Sequence, residues 1–187
     1  MTHRAFIGIT GASGAAYSLS LLRILREHGW ETWVSATEWG LHTLKTETGL
    51  GLDELRGMSD KLLDFRDMNS EPASGSAWFS GVAVVPATVS TVAKIAAGVG
   101  DNLITRAAGV ALKQKNRLVV VIRETPVSAL HLEAMTKLAL AGAVVMPASP
   151  GFYHKPKSLE DLVEFVAARA AKALGLKMDI PWTPEME

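Results

Sequence analysis

Short runs of apolar, often β-branched residues recur along the chain, and longer stretches with helical periodicity separate them. The runs show little of the apolar–polar alternation typical of strands exposed on one face, which favours strands buried on both faces. Strands that alternate with helices predict a parallel, doubly wound α/β sheet with right-handed crossovers. The predicted strands cover residues 6–9, 32–34, 82–85, 118–122 and 143–146.

Apolar residues spaced three and four positions apart predict the helices. The first predicted helix ends at Gly29, which is a typical stop signal, and the last begins with the capping box Ser158-Leu159-Glu160-Asp161. The predicted helices cover residues 15–28, 92–97, 102–115, 129–141 and 158 to about 174.

Residues 57–81 are polar and lack clear periodicity, which predicts a long irregular loop. Such a loop inside a compact domain is more often functional than idle. No repeat is visible, so residues 1–176 are predicted to form a single domain. Residues 177–187 are predicted to form a tail, either an arm or a partly disordered segment, and in an ordered arm Trp182 would pack on a neighbouring subunit.

The composition is that of an ordinary globular protein, with 187 residues, 48% of them hydrophobic and 20% charged. Nineteen basic residues balance nineteen acidic ones, so no overall field favours nucleic acid or a membrane surface, and neither is an expected partner. The absence of cysteine excludes disulfides and thiolate chemistry. No signal-peptide pattern and no apolar run of roughly 20 residues is present, so a cytoplasmic location is expected.

A glycine-rich segment, Gly8-Ile9-Thr10-Gly11-Ala12-Ser13-Gly14, joins the first predicted strand to the first predicted helix. Glycines let backbone N–H groups approach a ligand closely, and the start of the helix adds a partial positive charge, so the segment favours a phosphate. A tight turn with Ser13 as the N-cap of the helix explains the same residues without a ligand.

A nicotinamide dehydrogenase of the short-chain type is the main rival interpretation of this loop. The third glycine of the dinucleotide fingerprint is missing, and Ser35 follows Val34 where an acidic residue would hold the adenosine ribose. Tyr153 and Lys157 have the Tyr-x-x-x-Lys spacing of such enzymes, but Pro156 would break the helix that aligns them. These departures disfavour the dehydrogenase.

Two further segments place polar groups after predicted strands. Thr88, Ser90 and Thr91 supply three hydroxyls before a helix, where capping explains only one, and Arg123-Glu124-Thr125-Pro126 follows the most apolar strand. Because ligands of open α/β sheets bind at the carboxyl ends of the strands, both segments are expected to meet the glycine loop there.

Basic residues beside the apolar stripes of two helices are candidates for anion binding. Arg106 and Lys113 are seven positions apart and share one face, roughly 10.5 Å apart along the axis. Arg169 lies at the edge of the apolar face of the last helix, where a guanidinium can grip a phosphate with two hydrogen bonds. Solvated side chains explain these positions equally simply. No set of His, Asp and Glu has metal-ligand spacing, so no metal is expected.

Together these motifs resemble the UbiX family of flavin prenyltransferases over almost the whole chain, to about Leu174. Arg-Glu-Thr-Pro combined with the Phe-Tyr-His loop is the most specific part of the resemblance. The matching segments are Gly8 to Gly14, Thr46-Glu47-Thr48, Ser74-Gly75-Ser76, Asp101-Asn102-Leu103-Ile104-Thr105-Arg106-Ala107-Ala108, Arg123-Glu124-Thr125-Pro126, Pro150-Gly151-Phe152-Tyr153-His154-Lys155-Pro156 and Ser158 to Val163.

The resemblance implies a Rossmann-like, flavodoxin-like three-layer α/β/α fold and an enzyme that joins a dimethylallyl group to reduced FMN at N5 and C6. The donor would be dimethylallyl phosphate or diphosphate, used without metal. The prenylated flavin would serve a UbiD-type decarboxylase. The resemblance also implies a large homo-oligomer, commonly a dodecamer, with the site at subunit contacts.

The resemblance further assigns roles to individual residues. Ser13, Glu47, Lys113 and Glu124 would be catalytic. The implied FMN ligands are Gly11, Ala12, Ser13, Ser35, Thr88, Val89, Ser90, Thr91 and Arg123. The implied contacts of the allylic phosphate are Arg106, Lys113, Glu124, Tyr153 and Arg169.

Two other functions stay open from the sequence. A non-catalytic module that binds FMN or its prenylated form and delivers it to a decarboxylase would need the flavin ligands but not the anion-binding set. A flavin-dependent cysteine decarboxylase could share the fold, although the tyrosine loop and Arg-Glu-Thr-Pro match the prenyltransferases better.

Overall fold

A computed structural model describes residues 3–179 and shows one six-stranded sheet, in which all neighbouring strands are parallel. The strand order is β3-β2-β1-β4-β5-β6. This order is that of the nucleotide-binding doubly wound fold, so the predicted fold class is confirmed. The strands are β1 (Arg4–Ile9), β2 (Glu31–Ala36), β3 (Lys61–Asp64), β4 (Gly81–Ala87), β5 (Arg117–Ile122) and β6 (Val144–Pro147).

Helices cover both faces of the sheet, and the predicted helices are all present with bounds shifted by a few residues. The capping box at Ser158 is confirmed, and Asn102 caps its helix in the same manner. The helices are α1 (Ala15–Glu27), α2 (Glu38–Thr48), α3 (Leu52–Gly57), α4 (Val89–Ala96), α5 (Leu103–Lys113), α6 (Ala129–Leu140) and α7 (Leu159–Leu174), with a 3-10 turn at Glu71–Ala73.

Each face of the sheet carries its own hydrophobic core. Val85 and Val119 pack on one side with α1 and α7, whereas Val84 and Val120 pack on the other side with α4, α5 and α6. Adjacent strand residues point to opposite faces, so strands covered on both sides are apolar throughout, as the sequence indicated.

The prediction that residues 57–81 form an irregular loop is partly wrong, because this segment contains the edge strand β3 and the 3-10 turn. Strand β3 pairs with β2 and has the burial pattern of an edge strand, with exposed ends at Lys61 and Asp64. Four residues with only two partly buried leucines give too weak a signal for sequence periodicity. Residues 180–187, including Trp182, lie outside the described part of the chain.

The direction of chain winding reverses between the neighbouring strands β1 and β4. From β1 the chain crosses to β2 and β3 on one side, and from β4 it crosses to β5 and β6 on the other. Connections that diverge in this way leave a crevice at the carboxyl ends of the two central strands, which is where ligands of this architecture bind.

Candidate functional site

A cleft of about 470 Å³ lies at this crevice. It is open to solvent and is formed by the segments that follow β1, β2, β3 and β4, together with the start of α5. The carboxyl edge of the sheet therefore carries a cleft at the place where the glycine loop and the threonine cluster predicted a ligand site. Residues that face the cleft include Thr10, Gly11, Thr37, Thr88, Ser90 and Thr91.

The hydroxyls after β4 are tied to one another and to the glycine loop. Thr88 Oγ1 accepts a hydrogen bond from the Thr91 backbone N–H at 3.1 Å and lies 2.9 Å from Thr91 Oγ1, so Thr88 is the N-cap of α4. Thr10 Oγ1 donates to Pro86 O at 2.9 Å and accepts from Thr88 N at 2.9 Å. These bonds hold the two loops together, while Ser90 stays exposed at the mouth. Val89 begins α4 and is half-buried.

The start of α1 is capped by Glu47, which lies on α2. The Glu47 carboxylate accepts hydrogen bonds from the backbone N–H of Gly14 at 2.9 Å and of Ala15 at 2.8 Å. Gly14 is the N-cap residue with a φ of 104°, a left-handed conformation that favours glycine. The alternative in which Ser13 caps this helix is therefore wrong, because a distant carboxylate takes that place.

Two ionisable groups near this cap have perturbed pKa values. Partial burial works to raise the pKa of Glu47, but hydrogen bonds from Ser13 and from the two backbone amides, with the charge of Arg123, lower the pKa overall. Burial raises the pKa of the Tyr17 hydroxyl. The positive charge of Arg123 acts to lower this pKa, and the negative charge of Glu47 acts to raise it further. Sequence reasoning missed Tyr17, whose ring lies where a Cβ at Gly14 would clash at 2.6 Å.

Glu47→Gln is expected to lower the melting temperature by about 2–4 °C at pH 7, since the cap loses its charge. The folded-state pKa is lowered, so the stabilisation is present above the ordinary carboxyl value of 4.5 and disappears as the pH falls through the lowered pKa. The difference between wild type and variant should therefore shrink below pH 4.5.

Thermal melts of both proteins across this pH range measure the effect. Glu133→Gln, at an exposed position of α6, is the matched control. A difference that does not change with pH would contradict an ionised cap at Glu47.

Ser35 does not reach the cleft in this structure. It lies inside β2 with no exposed surface, and within residues 3–179 its Oγ has no hydrogen-bond partner. Thr37, two positions further along, caps α2 by accepting a hydrogen bond from Gly40 N at 3.0 Å and faces the cleft. The hydroxyl at the end of β2 that can meet a ligand is therefore that of Thr37. The sequence signal for this position is Thr37 followed by Glu38, which is a typical start of a helix.

Arg123 and Glu124 follow β5 at the same edge of the sheet. Arg123 Nε is buried, and no described group accepts a hydrogen bond from it. A buried guanidinium N–H without a partner is costly, so this donor favours an anionic or carbonyl oxygen as its ligand. Glu124 is exposed and accepts a hydrogen bond from Thr125 N at 3.1 Å.

The basic residues expected around the allylic phosphate form two separate groups in one protomer. Arg106 donates from Nε to Ala73 O at 3.1 Å, and Lys113 lies beside Gly75, so both face the loop before β4. Arg169 lies on α7, with its guanidinium 5.7 Å from the centre of the Phe165 ring. Tyr153 packs on the same ring, with centroids 5.9 Å apart.

These two groups cannot meet within one protomer, because α5 and α7 cover opposite faces of the sheet. Lys113 ends α5 and precedes the start of β5 by four residues, whereas Arg123 follows the end of that strand. Six strand residues span roughly 20 Å, so Lys113 lies near the opposite edge of the sheet from the cleft.

Residues 3–179 contain no group of three or more His, Asp or Glu side chains positioned to hold a metal ion. No helix in the same range is long and apolar enough to cross a membrane.

Comparison of the sequence with known proteins gives consistent matches along the chain. The family model described as Flavoprotein matches residues 1–171. A flavin prenyltransferase UbiX of Thermoplasma acidophilum is 40% identical over 177 residues, which are 95% of this chain and 97% of the relative. A flavin prenyltransferase LpdB of Lactiplantibacillus plantarum is 44% identical over 161 residues, 86% of each chain.

Solved structures agree with these matches. The crystal structure of AnUbiX (PadA1) in complex with FMN and dimethylallyl pyrophosphate has a TM-score of 0.93 and 36% identity, covering 98% of this chain and 100% of the other. A dodecameric, FMN-dependent UbiX-like decarboxylase from Escherichia coli O157:H7 has the same TM-score with 35% identity and the same coverage. The FMN-dependent cysteine decarboxylase TvaF, at 17% identity and a TM-score of 0.65, shares the fold alone.

Proposed function

Because the chain belongs to the Flavoprotein family and, within it, to the UbiX flavin prenyltransferases, we propose that its cleft holds reduced FMN for transfer of a dimethylallyl group. The donor is dimethylallyl phosphate or diphosphate, the new bonds form at N5 and C6, and the product serves a UbiD-type decarboxylase. The observation that carries the proposal is the unpartnered, buried Arg123 Nε at the carboxyl edge of the sheet, the edge that also carries the hydroxyl-lined cleft.

The residues present fit a flavin mononucleotide. Thr37, Thr88 and Ser90 offer hydroxyls, the start of α4 offers a partial positive charge, and Gly11 leaves its backbone accessible to a phosphate. Arg123 can donate to the phosphate or to a ring carbonyl. Reduced FMN supplies the nucleophilic N5 and C6 when it is bound.

Chain residues then have to ionise the donor. The bond between the dimethylallyl C1 and the phosphate oxygen breaks, and the phosphate leaves with the electron pair. Lys113, Arg169 and the Tyr153 hydroxyl stabilise the charge that develops on the leaving oxygens. Glu47, held as a carboxylate by its hydrogen bonds, stabilises positive charge on the prenyl group and can accept a proton. Glu124 and Ser13 are the further candidates for proton transfer.

The separation of Lys113 from Arg169 supports a site that several copies of the chain build together. If both side chains contact one phosphate, they come from different protomers, since they lie on opposite faces of the sheet. A closed homo-oligomer achieves this when one protomer presents its cleft to its neighbours. We propose a dodecamer, the state of the similar protein from Escherichia coli O157:H7. The cytoplasmic location and the domain boundary at residue 176 stay predictions from the sequence.

Incubation with reduced FMN and either donor, under anaerobic conditions, tests the function. The extracted flavin is expected to gain the mass of one dimethylallyl group with loss of the phosphate leaving group. Unmodified flavin with both donors, from protein that binds FMN, would contradict the transferase and favour the delivery module.

A further inference from the structure

The side of the cleft nearest β2 is walled by aromatic and charged side chains that the transfer chemistry does not use. Trp39, in the first turn of α2, is 70% exposed although it faces the cleft. It contacts the glycine loop through its Cβ and His42 through its ring. A Cβ at Gly11 would lie 2.6 Å from the Trp39 Cβ, and the Trp39 ring contacts that of His42 edge-on at 5.2 Å.

A second cavity, of about 290 Å³, lies beyond this wall at the carboxyl ends of β2 and β3. Glu38 and Phe65 line both the cleft and this cavity, so they form the partition between the two. Glu38 forms an exposed ion pair with Arg66, which lines the second cavity, and the Arg66 guanidinium lies 4.8 Å from the centre of the Phe65 ring.

The place of the partition has a specific meaning in this fold. In dinucleotide-binding members of the doubly wound architecture, the adenosine half of the ligand lies by the end of β2, where an acidic residue holds its ribose. Here Glu38, two positions beyond the end of β2, is paired with Arg66, and the neighbouring Trp39 lies against Gly11 on the cleft side.

We infer that Trp39 and the Glu38–Arg66 pair are specificity-determining residues that select FMN over FAD. FAD carries an additional adenosine monophosphate on the flavin phosphate, and this group would have to pass the partition. FMN ends at its phosphate and fits on the cleft side. The inference rests on the proposed FMN site and adds the residues that limit the ligand to a mononucleotide.

Titration calorimetry with oxidised FMN and with FAD tests the inference on the full-length protein. The wild type is expected to bind FMN at least about tenfold more tightly than FAD. Trp39→Ala and the double variant Glu38→Ala/Arg66→Ala should gain affinity for FAD by about tenfold, with the affinity for FMN changed by less than about threefold. The double variant removes one charge of each sign, so the net charge near the phosphate is unchanged.

Arg23→Ala/Glu27→Ala is the matched control, because it removes an exposed ion pair on α1 and should leave both affinities unchanged. The charge-swapped variant Glu38→Arg/Arg66→Glu restores the pair and should restore the discrimination. Equal affinities in the wild type, or FAD still excluded in well-folded Trp39 and double variants, would overturn the inference. Failure of the wild type to bind FMN would instead refute the proposed function.

Discussion

Lys113→Ala and Arg169→Ala are each expected to reduce prenyl transfer by about 10²–10³-fold, the usual cost of removing one donor that stabilises developing charge. FMN affinity should change by less than about threefold, because both side chains are proposed to contact the phosphate of the donor and not the flavin. The effect is therefore expected in turnover and in donor binding, and not in flavin content.

Steady-state formation of prenylated FMN measures the first quantity, and calorimetric titration with FMN measures the second. Lys137→Ala, at an exposed position of α6, serves as a control for the loss of a surface cation. Prenyl transfer at the wild-type rate in either variant would contradict a role of that residue in stabilising the leaving phosphate.

The sequence predicted the strands at the centre of the sheet well, because they are apolar along their whole length. It missed α2, in which only Gly40 and Leu44 are buried, so the helix has almost no apolar stripe. This omission had a consequence for the site, since α2 carries both Thr37 and Glu47 at its two ends. A helix with few buried residues shows almost no apolar periodicity, and without that periodicity the sequence does not reveal the helix.

Individual site residues show the same limit. The resemblance assigned Ser35 to the flavin ligands, but β2 continues to Ala36 and buries this side chain. The capping of α1 by Glu47 joins residues 33 positions apart at the Gly14 N–H, a contact that no local pattern encodes. The glycine loop and the threonine cluster were predictable because both follow buried strands directly.

For Lys113 and Arg169, the sequence predicted the helix face on which each side chain lies, but not their positions relative to each other. Spacing along α5 and α7 identifies which residues lie beside the apolar stripe, but it does not say which side of the sheet each helix covers. The structure places them on opposite sides. This separation supports the site at subunit contacts that the resemblance implied.

Oligomers that contain both single variants test this central claim most directly. If Lys113 and Arg169 reach one phosphate from different protomers, co-expressed Lys113→Ala and Arg169→Ala chains should form some intact sites. When equal amounts of the two chains assemble at random, a site receives an intact Lys113 half of the time and an intact Arg169 half of the time. About a quarter of the sites therefore contain both side chains. Distinct tags on the two chains and tandem purification isolate the mixed oligomers.

Their rate of flavin prenylation, compared with that of each parent variant assembled alone, is the measurement. The shared site predicts recovery to about a quarter of the wild-type rate, far above either parent. Mixed oligomers that are no more active than their parents would show that both cations act from one chain, and would contradict a site built between copies.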